Sequence, residues 1–270
     1  MAPKSSSMPR PLRGRKQRVP LGYQAAESPS KACGSSHYPP ALADIKKEAE
    51  EKGMILDRQF SPWIYPKNTK LHQIEVPGGR WVFLACHHTR DRCTSCGHAP
   101  YHRGCLVVAV DGACLTNRKK SGELESRASI GIFFGTGNLN NLSTMLTAEK
   151  NTEQVAELQA CITALDKVLI LWKCQVPRPD DRECYPLHSL IIKSDSEYLV
   201  KGVTEWLPKW KMRGWKNCKG QAVANEQLWH QIDQQVKELE SSVWVQFWLV
   251  PPALNETANA MAWSALLENA

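Results

Sequence analysis

Two short runs constrain this chain more than anything else in it: Leu106–Asp111 (LVVAVD), and Leu190–Ser194 (LIIKS) with Asp195 directly after it. Each is mostly apolar and rich in β-branched residues. Each is also too short for a buried helix, so each reads as a strand covered on both faces. Both end in a carboxylate, Asp111 and Asp195. Ser129–Gly135 (SIGIFFG) reads as a further strand and Leu142–Leu146 as a short one, which suggests an antiparallel meander. From Thr152 to Trp172, apolar residues recur at steps of three and four: Val155, Leu158, Ile162, Leu165, Leu169 and Trp172. That spacing makes one stripe along a long helix. Ser196–Val203 and Asn225–Leu239 read as helices, Val243–Leu249 as a strand and Asn255–Leu267 as a closing helix. The order β-β-β-α-β-α-α-β-α predicts an α/β fold with a mixed sheet flanked by helices.

The N-terminal part is different in kind. Residues 1–40 are rich in Ser, Pro, Arg and Lys and carry few large apolar side chains. Such a segment buries too little surface to offset chain entropy and is expected to be disordered. Residues 41–105 read as a separate segment: a short charged helix over 41–53, loops punctuated by Pro62, Pro66, Pro77 and Gly78-Gly79, and an apolar run Trp81–Ala85 that reads as a strand. The domain proper is expected over 106–270.

Charge needs to be located before it is used. The chain has 34 Lys+Arg against 27 Asp+Glu, net +7. Residues 1–31 hold seven basic residues and one acid, so +6 belongs to the tail and the rest is nearly neutral. The patch Arg13–Arg18 (RGRKQR) fits a nuclear address. The acid-poor, Ser/Arg-rich composition also fits a mitochondrial one, though Pro3, Pro9, Pro11 and Pro20 oppose the amphipathic helix that needs. An intracellular setting is expected, with the compartment open between those two. No apolar run approaches the roughly 18 residues of a membrane span; Val243–Val250 contains Gln246 and stops at Pro251. No membrane partner is expected, and the chain is read as a monomer.

Three acids stand out. Asp111 and Asp195 follow strands, and Glu157 lies early in the long helix, beside the apolar stripe. Carboxyls at neighbouring strand ends and one from a packed helix can converge, and they stay ionised together only if a cation joins them. Hard oxygen donors with open positions suit Mg²⁺. Spacing alone leaves a second account open, in which Asp111 and Asp195 merely end strands or cap helices.

The residues around these acids extend the pattern: LVVAVDGACLTN (Leu106–Asn117), SIGIFFG, NTEQVAELQAC (Asn151–Cys161), KSDSEYLVKGVTEWLPKWKMRGWKN (Lys193–Asn217), VANEQLW (Val223–Trp229) and VQFWLVPPALNETANAMA (Val245–Ala262). In this order they resemble the ribonuclease H family, type 1-like, and within it the fungal proteins carrying that domain. The resemblance covers residues 106–270. It implies a ribonuclease H-like mixed five-stranded sheet. It also implies an endoribonuclease that hydrolyses the RNA strand of RNA·DNA hybrids with two Mg²⁺ ions, or Mn²⁺. Asp111, Glu157 and Asp195 match the first three catalytic acids. The fourth position, four residues after Asn255, holds Asn259, an amide that can ligate a metal without supplying charge. The stretch Pro251–Leu254 lacks the His that bacterial and animal members carry there. These departures give a second reading, a catalytically impaired RNA- or hybrid-binding protein that keeps the fold.

The resemblance also assigns substrate contacts. Asn117 and Gln154 match positions that contact RNA 2′-hydroxyls, which is how a protein tells RNA from DNA. Thr152 and Asn225 match a phosphate pocket for the DNA strand, and Tyr198, Trp206 and Trp210 match positions beside that strand. Glu153 stands where Asn is usual, and Arg118 where Gly is usual. Independently of the family, residues 201–219 carry six cations and one acid, net +5, interleaved with Trp206, Trp210 and Trp215. Cations attract phosphate and aromatic faces stack on bases, although tryptophans at such spacing also serve as core. Finally, Cys93-x-x-Cys96 is half of a zinc site, with Cys86, His88, His102 or Cys105 able to complete it. A packed thiol cluster accounts for these residues equally well.

Overall fold

The computed structural model describes residues 58–86, 101–118, 124–147, 151–173 and 187–268. The tail 1–40, the helix over 41–53, His88, Cys93 and Cys96 lie outside them.

The sheet is organised by one long strand. β3 (Tyr101–Arg118) pairs antiparallel with β4 (Leu124–Phe133) over Ala109–Arg118. It pairs parallel with β6 (Ser189–Ser194) over Cys105–Ala109. β5 (Leu142–Met145) extends the β4 side, and β7 (Trp244–Leu249) extends the β6 side in parallel. These are the five strands expected from sequence, in a mixed sheet. A hairpin, β1 (Glu75–Gly78) and β2 (Trp81–Ala85), adds two more, with β2 against the first part of β3. The sheet therefore has seven strands. The expectation of loops over 54–80 misses β1, and a boundary at residue 106 falls inside β3. The physical reason is that Tyr101 stacks on Phe83, ring centroids 5.1 Å apart, which extends the pairing backwards.

Two helices cover one face. α1 (Glu153–Lys173) buries Val155, Leu158, Ile162, Leu165 and Leu169 of its expected stripe, each contributing about 1.5–3 kcal/mol of transfer free energy. After β6 the chain forms α2 (Glu197–Lys201), a π-turn over Gly202–Trp206, and α3 (Leu207–Met212). α4 (Glu226–Leu239) packs on α1 through Trp229, Ile232, Val236 and Leu239, all fully buried. Gly202 leaves room for the Trp229 ring, which would lie 2.1 Å from any Cβ placed there.

The other face is shared. α5 (Glu256–Glu268) lies over β3–β5 with Ala258, Ala262, Ala265 and Leu266 buried. Small residues let it come close, and Gly131 of β4 completes the fit: a Cβ there would sit 2.1 Å from the Ala258 carbonyl oxygen. The rest of this face, Val107, Ile191, Trp248 and Val250, is covered by Phe60, Tyr65, Ile74 and Val76 from the N-terminal segment. That segment also caps the outer edge of β7. The Phe60 N–H donates to the Phe247 carbonyl (2.9 Å) and the Phe247 N–H to the Arg58 carbonyl (2.7 Å). The Arg58 guanidinium makes two bonds to Glu240, 2.8 and 2.7 Å. This backbone bridge occupies the middle of an otherwise open strand edge.

Gly112 of β3 faces α1, and a Cβ there would lie 2.3 Å from the Glu157 backbone nitrogen. Gly112→Ala is therefore expected to push α1 off the sheet and to destabilise the protein by about 1–3 kcal/mol. Urea unfolding of the variant against the parent protein measures this; an unchanged midpoint would contradict the packing.

Candidate active site

Asp111 is not at a strand end, as expected from sequence, but inside β3. Pairing with β4 continues past it to Arg118, whereas parallel pairing with β6 stops at Ala109. The acid therefore stands just beyond the point where β3 and β6 part, and Asp195 follows β6 at the same end. Neither acts as a helix cap. Ser196 is the N-cap of α2, its hydroxyl accepting from the Leu199 N–H at 3.1 Å. The capping account of these acids is thereby removed.

Glu157 comes from the opposite face, on the turn of α1 that Gly112 admits. Two of the acids have a neutral amide donor. Asn259 Nδ2 donates to Asp111 Oδ2 at 2.6 Å. Asn255 Nδ2 donates to Asp195 Oδ1 at 2.8 Å and to the Val110 carbonyl at 3.0 Å. Ser196 is the neutral neighbour that favours the ionised Glu157 carboxylate. Asn255 is buried, and its Oδ1 has no hydrogen-bond partner. The roles of Asn255 and Ser196 do not follow from the sequence pattern. The available signal is position: Ser196 directly follows an acid and precedes a helix, and Asn255 directly precedes α5.

The electrostatics show that these carboxyls share one neighbourhood. Burial first, then Asp195 and Glu153, raise the Asp111 carboxyl to about 6, against the bonds from Asn259 and Gly112. Burial first, then Glu153, Asp111 and Asp195, raise Glu157 to about 7, against the bond from Ser196. Glu153 lies one helical turn before Glu157, so it is a fourth negative charge beside the site. Among the described residues no group of three or more Asp, Glu, Cys or His side chains is arranged to hold a metal ion. The donor set nonetheless fits a hard divalent cation: carboxyl oxygens that repel one another, with an amide oxygen at Asn259 not used in its bond to Asp111. Asp111, Glu157 and Asp195 would hold it.

The expected substrate residues form two further groups. At the start of α1, Thr152 Oγ1 accepts from the Val155 N–H at 3.2 Å and caps the helix, and Gln154 is exposed on its first turn. Asn117 lies near the end of β3. The second group is aromatic. Tyr198, Trp206 and Trp210 gather around buried Trp229, with ring centroids 5.3 to 6.1 Å apart. Asn225, in the left-handed region at φ 57°, donates from Nδ2 to the Tyr198 hydroxyl at 3.2 Å. Of the six cations in 201–219, Lys201 pairs with Glu197 at 2.8 Å and Lys211 with Asp233 at 3.0 Å. Lys209, Arg213, Lys216 and Lys219 are exposed. Of the cysteines and histidines expected near a zinc, Cys86, His102 and Cys105 are buried where β2 meets β3.

The ribonuclease H family model matches residues 103–265, more than half of the chain. This chain belongs to the ribonuclease H family. The chain is 35% identical over 127 residues to a ribonuclease H of a Cyanothece strain, covering 47% of this chain and 68% of that one. It is 37% identical over 122 residues to a ribonuclease H of Schizosaccharomyces pombe, covering 45% of this chain and 38% of that one. To ribonuclease H1 of Rattus norvegicus it is 27% identical over 146 residues, 54% and 43% of the two chains. The ribonuclease H match begins within β3, so β1 and β2 lie outside it.

The raised carboxyls make a pH prediction. Asp111 and Glu157 keep protons in the folded state that the unfolded chain has lost near pH 4, so the native state binds more protons between about pH 4 and 7. Stability in chelator therefore falls as pH rises through that window. Urea midpoints should drop from pH 5 to pH 8. Glu157→Gln should flatten the drop and raise the midpoint at pH 8.

Proposed function

We propose that this protein is a metal-dependent endoribonuclease that hydrolyses the RNA strand of RNA·DNA hybrids. The observation that carries the reading is the grouping of Asp111, Glu157 and Asp195 at the point where β3 and β6 separate, in a chain of the ribonuclease H family. The relatives bear the name ribonuclease H, which supports the substrate class. Two divalent ions would supply activation of the attacking water and charge stabilisation at the leaving oxygen. The residues of the chain do the remainder. The three carboxylates set where such ions sit. Asn255 and Asn259 fix the orientation of Asp195 and Asp111 by hydrogen bonds, and Ser196 favours the ionised form of Glu157. The half-exposed edges of Tyr198, Trp206 and Trp210, with the exposed cations after them, offer a surface for the DNA strand.

One observation favours the second reading, a hybrid-binding protein with weak catalysis. Asn259 binds Asp111 as a donor and brings no charge to the fourth position. The two readings separate on a labelled RNA·DNA hybrid with Mg²⁺ or Mn²⁺. Cleavage by the parent protein and its loss in Asp111→Asn support the nuclease. Binding without cleavage beyond Asp111→Asn selects the binding protein. Asn259→Asp is expected to raise the rate about tenfold at limiting Mg²⁺, in line with changes around a metal's ligands.

The surface assignment makes its own prediction. Removing one lysine that binds a phosphate should lower the slope of log affinity against log salt by about one. Lys209→Ala and Lys216→Ala should each do so in fluorescence anisotropy with hybrid. Lys201→Ala, whose ammonium is engaged by Glu197, should change the slope less.

A further inference from the structure

Lys193 is the residue two before Asp195, and its side chain is almost fully buried. Its ammonium reaches both carboxylate oxygens of Glu75 at 2.7 Å and the carbonyl of Leu254 at 2.8 Å. Those three bonds join elements far apart in sequence. Glu75 begins the hairpin that precedes the family match. Leu254 ends the short turn Pro252–Leu254 and is followed at once by Asn255. Asn255 in turn holds Asp195 and the Val110 carbonyl, next to Asp111. One turn later Asn259 holds Asp111 itself, and its N–H donates to the Asn255 carbonyl at 3.0 Å.

We propose that Glu75 and Lys193 are positioning residues for the active site: their buried ion pair pins the Leu254 carbonyl and so sets where Asn255 and Asn259 meet the acids. A buried pair is weak evidence of stabilisation by itself, because desolvation offsets its attraction. What it does is favour one geometry, since a buried ammonium must satisfy its donors and this arrangement offers three acceptors. The N-terminal hairpin is then part of the site's support, not an appendage before the domain. The turn lacking the family's His is held in place by an ammonium behind it. The inference rests on the metal-dependent nuclease reading only for its consequence in rate.

The test uses the full chain and compares Lys193→Met and Glu75→Gln with Arg58→Ala. Arg58 also ties the N-terminal segment to the domain, through Glu240, but does not touch the Leu254 turn. Two measurements need no substrate: the side-chain amide resonances of Asn255 and Asn259 by ¹⁵N NMR, and Mn²⁺ affinity by electron paramagnetic resonance. Lys193→Met should shift both amides and weaken Mn²⁺ about tenfold. Arg58→Ala should lower thermal stability and move neither. Where cleavage is measured, kcat should fall by a similar factor with KM for the hybrid unchanged. If Lys193→Met does not fold, Glu75→Gln decides, with a smaller shift in the same direction expected. Unmoved amides in the folded Glu75 or Lys193 variant overturn the proposal, as does an equal shift in Arg58→Ala. A parent protein that cleaves no hybrid overturns the proposed function instead, and the amide resonances still decide this one.

Discussion

Repulsion among a few carboxylates is what the rest of this structure has to accommodate. Burial first, and then the neighbouring carboxylates, push Asp111 and Glu157 up to about 6 and 7. A metal-free site of that kind would splay unless something neutral held each acid. The chain places a neutral group at each: Asn259 and Asn255 donate to Asp111 and Asp195, and Ser196 favours the ionised Glu157. None adds positive charge, so the negative potential that would draw a divalent cation is kept. An amide at position 259 has a consequence here. A fourth carboxylate would add repulsion to the metal-free protein, whereas Asn259 adds a bond. The same exchange removes one charge from the metal's ligands, so metal-free stability and metal affinity are set against each other at a single residue.

Bringing acids from both faces of a sheet to one point requires thin places in the sheet. Gly112 and Gly131 provide them. The first admits the α1 backbone at Glu157, the second the α5 backbone at Ala258. Because Gly131 pairs with Asp111 in the β3–β4 register, α5 can come down directly beside that acid and present Asn259. The alanines of α5 serve the same closeness. Long side chains on that helix would lift it and lengthen the amide bond on which Asp111's position depends. Site geometry is thus written in residues that have almost no side chain.

The elements around the site are readable from sequence because their signals are local. The stripe Val155–Leu169 is a periodicity, and LVVAVD and LIIKS are runs. What cannot be read is non-local. Asp111 reads as a strand end because the apolar run stops there, yet pairing with β4 carries the strand seven residues further, through Gly112, Ala113, Cys114 and Leu115 to Thr116, Asn117 and Arg118. The stretch up to residue 80 reads as loop because Pro62, Pro66 and Pro77 interrupt every pattern. Its role becomes visible only against Trp248 and Ile191, which need a cover. The Glu75–Lys193 pair spans 118 residues, and nothing in either neighbourhood announces the other. The π-turn after α2 leaves no mark on the spacing either. It places Tyr198, Trp206 and Trp210 around Trp229, so that residues read as a binding surface are also packed against the core.

That double duty bears on how the basic segment works. A cation that pairs inside the protein is taken out of the field seen by a phosphate, and Lys211 is drawn to Asp233 together with Lys237. Asp233 is held ionised, its carboxyl lowered by those lysines despite burial. The segment's effective charge is therefore carried by the exposed Lys209 and Arg213, before the turn at Gly214, and Lys216 and Lys219, after it. The net charge of the chain says nothing of this division; the pairing of individual lysines with Glu197 and Asp233 does.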